Sequence, residues 1–410
     1  MHHLKTRTKW QYDTHSIPDQ LWDAAIIGAG PAGAISACHL APGNHNVLLL
    51  DRKKFPREKV CGDGLLPAAL RCLDTIGAGE KVRAIGRLHD TSVLISPSQN
   101  EVEIAGEYLT IKRSLLDMLV AQTAVERGAV FAVGEVKQLG TESNGLASFT
   151  IRGSDRKYQA RIVILATGAD IGLLRSLNWS ARKRPSGVGL RCYVRSFFDL
   201  DRLVISFVRH GRFTVPGYGW IFPMRDHEYN VGIGLLSPDR VGKRTINLKK
   251  QFNVFLDSFP LARALVQKSD RTTDIRAAAL RYDFEGAYPF VKGPIVAVGE
   301  TIGTTLPFIG EGIGKAMESG QMAADAVNEA LKSDDLSKLS QYGQQIESLF
   351  KTRYRGYRMA ERWLAKSWLN DFIIGRFGLS RYAQEILAGV IAETRSPQEI
   401  FSMKGILKTF

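Results

Sequence analysis

The sequence predicts an α/β protein: a Rossmann-type dinucleotide-binding domain, an antiparallel β-sheet domain inserted into it, and a helical C-terminal region. Three observations carry this reading. A glycine fingerprint lies between an apolar strand and an alanine-rich helix early in the chain, alternating apolar strands fill the stretch from about residue 186 to 236, and beyond Asp335 apolar and basic residues recur at helical spacing. The boundaries follow from these patterns. Residues 1–180 and 285–335 form a discontinuous dinucleotide domain with a small excursion toward the sheet at 82–106, residues 181–284 the inserted sheet domain, and residues 336–410 the helical region.

The first element is the stretch Ala24 to Ile27, a short buried strand by its unbroken apolar run. It leads into Gly28-Ala29-Gly30-Pro31-Ala32-Gly33, then into a helix ending near Leu40, then into a second apolar strand ending at Asp51. The three glycines do different things. Gly28 makes the tight turn, Gly30 lets the backbone approach a pyrophosphate, and Gly33 lets the helix pack against the strand. Ala32 lies on the same turn. The free N–H groups of the helix N-terminus favour the phosphates. A carboxylate about twenty residues on binds ribose hydroxyls in such sites, and Asp51, followed by Arg52, stands there. The fingerprint alone leaves FAD and NAD open.

Further along come Phe55-Pro56-Arg57 and Lys59-Val60-Cys61-Gly62-Asp63-Gly64-Leu65, then an Arg113-Ser-Leu-Leu-Asp117 helix start. The run Ile164 to Asp170, ending in a turn at Gly168, follows, and then a segment from Ile295 to Val327 containing Glu300, Pro307, Gly310, Gly312 and Ile313. Together these segments resemble the geranylgeranyl reductase family of flavoproteins, within the group that has the p-hydroxybenzoate hydroxylase fold. The resemblance implies FAD as cofactor, contacted by Cys61, Gly62 and Gly64 beside the flavin ring, by Arg113 near the phosphates or ribityl chain, by Gly168 near the adenosine, and by the acid at position 300. This chain has Glu300 where the family has Asp. It also has Ile171, Leu173 and Leu174 where hydroxylases have glycine and serine, although Asp170 and Arg175 remain. The turn shaped by Pro307, Gly310 and Gly312 starts a helix near Ile313, whose N-terminus suits the negative charge of a reduced flavin.

Tyr218-Gly219-Trp220-Ile221-Phe222-Pro223 places three aromatic side chains on one face of a strand. The segment resembles the family's YxWxFP signature, which implies a prenyl pocket lined by Tyr218, Trp220 and Phe222; Pro216 departs by one residue from the longer form of the motif. No general acid declares itself. Cys61 and Tyr218 are the proton-donor hypotheses, and neither a GxSxG elbow nor an HExxH helix occurs.

In the tail, Lys351, Arg355, Arg358, Arg362 and Lys366 form a basic stripe, with Phe350, Tyr354, Tyr357, Leu364 and Trp368 as an apolar stripe on the same helix. Such a helix can lie on an anionic membrane, bind an acidic electron carrier, or pack its apolar side on the domain. The four cysteines stand apart without a CxxC pair, which disfavours zinc, iron–sulfur and disulfide frameworks; no metal site is expected. No run reaches the roughly 18 apolar residues of a membrane span, and the N-terminus lacks the apolar run of a signal peptide, so a cytoplasmic protein, either soluble or peripheral at the inner membrane surface, is expected. The formal charge of +14 points to anionic partners, and no nucleic-acid motif accompanies it.

These features point to an FAD-dependent oxidoreductase that reduces C=C bonds of a hydrophobic prenyl substrate. NAD(P)H or a reduced ferredoxin-like protein would be the electron donor. The alternatives are a flavin monooxygenase or halogenase on the same fold, and a non-catalytic flavin subunit. The single tryptophan of the YGWIFP run and the GEGI in place of a GQG sequence favour the reductase.

Overall fold

The structure, a computed structural model, describes residues 10–179, 184–207, 209–210, 213–214, 217–236 and 247–409. Pro216, on which the longer aromatic motif turns, lies outside the described residues.

Two sheets organise the chain. The first is built around five parallel strands in the order Ile295–Ala297, Lys157–Leu165, Leu21–Ile27, Val47–Asp51 and Val130–Val133. Val291–Lys292 adds to one edge, and the strands Val136–Thr141 and Ala147–Ile151 extend from Lys157–Leu165. Ala24, Ala25 and Ile26 are fully buried, so this parallel strand has no solvent side. The helices Pro31–Leu40 and Ile313–Ser333 pack against each other through small residues. A side chain at Gly320 would stand 2.3 Å from the carbonyl oxygen of Ala32, and Ser36 Oγ donates to Gly320 O at 2.8 Å.

Among the described residues, the second sheet has nine strands. Leu203–Ser206, Gly217–Pro223, Glu228–Leu236 and Gly187–Ser196 pair antiparallel in that order, and Arg87–Ile95 with Glu101–Thr110 continue the sheet from the other side. It is not antiparallel throughout: Leu203–Ser206 runs parallel to Arg87–Ile95, because these neighbours come from separate excursions of the chain and no hairpin joins them. The excursion expected at 82–106 is the 87–110 pair, and Gly64–Leu65 adds to its far edge. Beyond the strand Leu203–Ser206, Arg209–His210 pairs with Phe213–Thr214 in a small ladder.

The two faces of this second sheet differ. Ile221, Val231 and Ile233 pack under the helices Leu248–Ser258 and Pro260–Gln267, where Phe252 and Phe255 are buried. A side chain at Gly219 would lie 2.6 Å from the Phe255 ring. By the period of two, Tyr218, Trp220 and Phe222 then face the other way, toward the first domain.

The C-terminal region folds into the helices Leu339–Leu364, Ser367–Gly378, Arg381–Ile391 and Met403–Leu407. On the first of these, Phe350, Tyr354, Tyr357 and Leu364 are buried in the main core, Tyr342 OH donates to Ala297 O at 2.9 Å, and Arg358 pairs with Asp283. Packing on the domain is therefore what its apolar face does. The expected stripe is corrected at its end: the helix stops at Leu364, where Asn370 Nδ2 donates to the Leu364 carbonyl at 2.9 Å. Lys366 accordingly caps the next helix, Ser367–Gly378, and Trp368 lies in the first turn of that helix, exposed.

Candidate functional site

A cavity of about 830 Å³ lies between the two sheets and the C-terminal helices. Its first wall is the fingerprint. Gly28 takes φ +108°, and a Cβ there would stand 2.2 Å from the Ala166 carbonyl oxygen, so only glycine permits the strand to turn. Gly30 is different. A Cβ on it meets nothing nearer than a terminal Arg57 nitrogen at 3.9 Å, so the space its missing side chain leaves is not filled by protein. This is the property of a cradle built for a ligand. Gly30 also caps the helix Pro31–Leu40 without a side-chain bond, which leaves N–H groups for an anion. Ala32 lines the cavity, whereas Gly33 lies beneath it as a packing residue.

Asp51 stands at the end of its strand on the same wall. Its carboxylate accepts the Ala29 N–H at 3.1 Å and the Lys53 N–H at 3.0 Å, and it pairs with Arg57 at 3.1 Å. Arg57 bridges onward to Asp117 at 3.0 Å, and Asp117 holds Arg113 through two bonds of 2.8 and 2.9 Å. The sequence reading missed Arg57 and Asp117 as site residues, although both stand inside motifs it used. Arg52 reaches the exposed Asp170 at 2.9 Å, beside the turn at Gly168.

Cys61, Gly62 and Gly64 form the middle of the cavity, against the aromatic strand: side chains at Gly62 and Gly64 would each approach the Phe222 ring at 3.3 Å. Tyr218, Trp220 and Phe222 follow one another with ring centroids 6.1 and 6.4 Å apart. Room for the Trp220 indole comes from Gly232, opposite it in register, where a Cβ would lie 2.1 Å from the ring. Trp220 Nε1 donates to Asn230 Oδ1 at 2.9 Å, and Asn230 Nδ2 donates to the Cys61 carbonyl and to Asp63. Asp63 is fully buried, also accepts Tyr193 OH at 2.5 Å, and burial pushes its carboxyl up to about 6 against the pull of those hydrogen bonds. This Asn230–Asp63–Tyr193 support was not foreseen; the one sequence signal was an asparagine inside an apolar strand. Burial likewise pushes up the Cys61 thiol, against the nearby Arg113 cation. The Tyr218 hydroxyl, raised in the same way, donates to Ile309 O at 2.5 Å.

The last wall is the turn before Ile313–Ser333. Glu300 lines it, accepting the Arg281 N–H at 3.0 Å through Oε1, and Gly310, Gly312 and Ile313 follow, while Pro307 lies outside the lining. Gly310 has φ +64°, and a Cβ on it would sit 2.7 Å from Tyr218 Oη. Gly312 caps the long helix without a side-chain bond, and Glu311 Oε1 takes the Gly314 N–H of the first turn at 2.6 Å, so the helix N-terminus that meets the cavity is partly capped. Leu387, Val390 and Phe401, from the C-terminal region, close an apolar end. Among the described residues no cluster of metal-ligating side chains occurs.

Residues 23–231 match the family model for lycopene cyclase proteins. A menaquinone reductase of Mycobacterium tuberculosis is 30% identical, over 84% of this chain and 83% of that protein. The chain belongs to the geranylgeranyl reductase family of flavin-dependent oxidoreductases. A digeranylgeranylglycerophospholipid reductase of Methanosphaera stadtmanae is 25% identical over 94% of this chain and 98% of its own length. The fold agrees with the family: a geranylgeranyl bacteriochlorophyll reductase-like structure from Thermoplasma acidophilum superposes with a TM-score of 0.74, covering 95% of this chain and 96% of that one at 20% identity. The reductase family thus uses, in this chain, one continuous cavity from the fingerprint to the C-terminal helices, and its cofactor is a flavin.

Proposed function

We propose that the protein is an FAD-dependent reductase of C=C bonds in an isoprenoid chain carried by a lipid or a quinone. One observation carries this reading: the Tyr218–Trp220–Phe222 strand lies against the Cys61–Gly64 loop in the same cavity that begins at the dinucleotide fingerprint. The names of the relatives, a menaquinone reductase and a digeranylgeranylglycerophospholipid reductase, support the substrate class.

The residues present fit FAD. Asp51 would take the ribose, the Gly28–Gly33 turn and its helix the pyrophosphate, Arg113 and Glu300 the region between, and Gly62, Gly64 and Gly310 to Ile313 the ring. Bound and reduced, FAD supplies a hydride. The chain's own residues do the rest: the aromatic strand and the apolar end hold the prenyl chain, exclude water and align one double bond. An isolated alkene is a weak electrophile, so this alignment is where the protein contributes to rate. The electron donor in this reading is NAD(P)H or a reduced ferredoxin-like protein.

No described helix is long and apolar enough to cross a membrane. Exposed Trp368, Leu379, Met403 and Leu407, beside Arg381, Lys404 and Lys408, support peripheral attachment of the C-terminal helices to an anionic inner-membrane surface, on the cytoplasmic side.

The test is anaerobic. The purified protein with its flavin reduced, mixed with geranylgeranyl lipid or menaquinone, should yield product heavier by two hydrogens per double bond in mass spectrometry. Flavin reoxidation only with O₂, giving a hydroxylated or halogenated product, would overturn the reading. Trp220→Ala removes the centre of the aromatic wall. Losing a buried contact of about 1.5–3 kcal/mol should raise KM for long prenyl chains roughly tenfold or more while short chains change little. An unchanged chain-length profile of KM would reject Trp220 as pocket lining.

A further inference from the structure

We propose that Glu311 is the acid of this site, holding the proton that one alkene carbon takes up as the other receives hydride. The inference rests on the reading of the protein as an isoprenoid C=C reductase.

Glu311 lies in the turn that precedes the long helix, and it lines the cavity together with Tyr218, Gly310 and Gly312. It is 8% exposed. One carboxyl oxygen, Oε1, accepts the Gly314 N–H at 2.6 Å; the other, Oε2, is buried without a hydrogen-bond partner. A buried carboxylate oxygen left bare is costly, whereas a protonated carboxyl in the same place carries no charge to desolvate and can donate.

The surrounding charges explain why the proton stays on this group. On the helix that follows it stand Lys315 and Glu318. Glu393 approaches from the tail and Arg353 from the helix Leu339–Leu364, which also presents Tyr354 and Tyr357; Tyr218 faces it from the sheet and Cys72 from the helix Pro67–Thr75. Lys315 is fully buried, and its ammonium is committed to Glu318 and to Glu393 at 2.6 Å. Arg353 also binds Glu393. Three carboxyls thus share two cations, and Glu311 makes no ion pair with either. Burial first, then the like charges of Glu393 and Glu318, push its carboxyl up to about 7, against the attraction of Lys315.

The other acids of the cavity are less available: Asp63, pushed up to about 6, has both oxygens engaged, Oδ1 by the Arg113 N–H and Oδ2 by Tyr193 and Asn230. Burial raises the Cys61 thiol, and the Tyr218 hydroxyl already donates to the Ile309 carbonyl. A group that titrates near neutrality combines availability of the proton with readiness to release it. In the step, the π bond of the alkene breaks and two C–H bonds form. One carbon takes a hydride from the reduced flavin, which is thereby oxidised; the π electrons take the Glu311 proton to the other carbon. Glu311 is left as a carboxylate and regains a proton from water.

The first test needs neither flavin nor substrate. Infrared difference spectra of the flavin-free protein should show a protonated carboxyl that disappears with a midpoint near pH 7, is absent in Glu311→Gln, and titrates at lower pH in Glu393→Gln. In Glu311→Gln the side-chain oxygen can still accept from Gly314, so the turn is kept. With flavin loaded and reduced, Glu311→Gln should turn over about 10²–10⁴-fold more slowly, while Glu311→Asp recovers part of the rate. Wild-type turnover should fall about tenfold per unit above the midpoint, because the protonated form is the active one. Absence of a titrating carboxyl unique to the wild type, or Glu311→Gln turnover within about threefold of wild type, well short of the loss an acid implies, would overturn the assignment. A wild-type protein that reduces no alkene would overturn the functional reading and Glu311's part in it together; a fast Glu311→Gln variant overturns only the latter.

Discussion

Asp117→Ala is expected to destabilise the protein by about 3–5 kcal/mol, because it removes the anion on which two guanidinium groups converge in the interior. The Asp117 side chain is wholly buried, bidentate to Arg113 and 3.0 Å from Arg57. Arg57 keeps Asp51 after the substitution, at 3.1 Å, so it is not stranded. Arg113 keeps no carboxylate in the ion pairs of the site, and its side chain is only 8% exposed. The cost should therefore come mainly from an uncompensated Arg113. Denaturant unfolding should show a lower midpoint with an unchanged slope. Arg113→Ala in the same background should recover part of the loss by removing the stranded charge. A midpoint shift worth less than about 1 kcal/mol would mean that the pair is no stronger than a solvated surface bridge. The link from Asp51 through Arg57 and Asp117 to Arg113 also ties the Asp51 end of the cavity, proposed to take the ribose, to the Cys61 loop, so flavin affinity should fall in the same variant.

How much of this was legible in the sequence depends on how local each feature is. The fingerprint is local: Gly28 and Gly33 meet within one turn of chain, and strand, helix and acid follow in register. The aromatic face of Gly217–Pro223 is also local, since alternation alone orients it. The space for Trp220 is not, because it exists only through the pairing of Trp220 with Gly232 on the neighbouring strand. Glu311 was written in the motif but silent, since its state depends on Lys315 being taken by Glu318 and by Glu393 from the far end of the chain. The tail misled for a related reason. No glycine or proline marks the end of the helix at Leu364, and the break is fixed by Asn370 reaching back to a carbonyl, so an uninterrupted pattern ran on to Trp368.

Gly33→Ala and Gly30→Ala, compared side by side, should separate what the fingerprint does for the fold from what it does for the cofactor. A methyl on Gly33 would lie 1.9 Å from the Gly28 carbonyl oxygen and 3.1 Å from Ala166 Cβ, both in the turns that leave the strands under the helix. Neither backbone can yield without moving the first turn of Pro31–Leu40. Overpacking of this kind costs about 1–3 kcal/mol, and the displaced helix N-terminus should no longer present its N–H groups to the pyrophosphate. Gly33→Ala is therefore expected to lose flavin and to melt earlier even when the flavin-free proteins are compared. A methyl on Gly30 meets no protein atom nearer than 3.9 Å, so the flavin-free fold should melt as the wild type does. The same methyl projects into the space proposed for the pyrophosphate, so flavin binding should weaken by about 100-fold or more, about 2.8 kcal/mol. Thermal melts of flavin-free protein and flavin titrations read the two effects separately. Wild-type flavin affinity in Gly30→Ala would move the phosphates away from this turn, and an unshifted melt in Gly33→Ala would show that the helix can slide without cost.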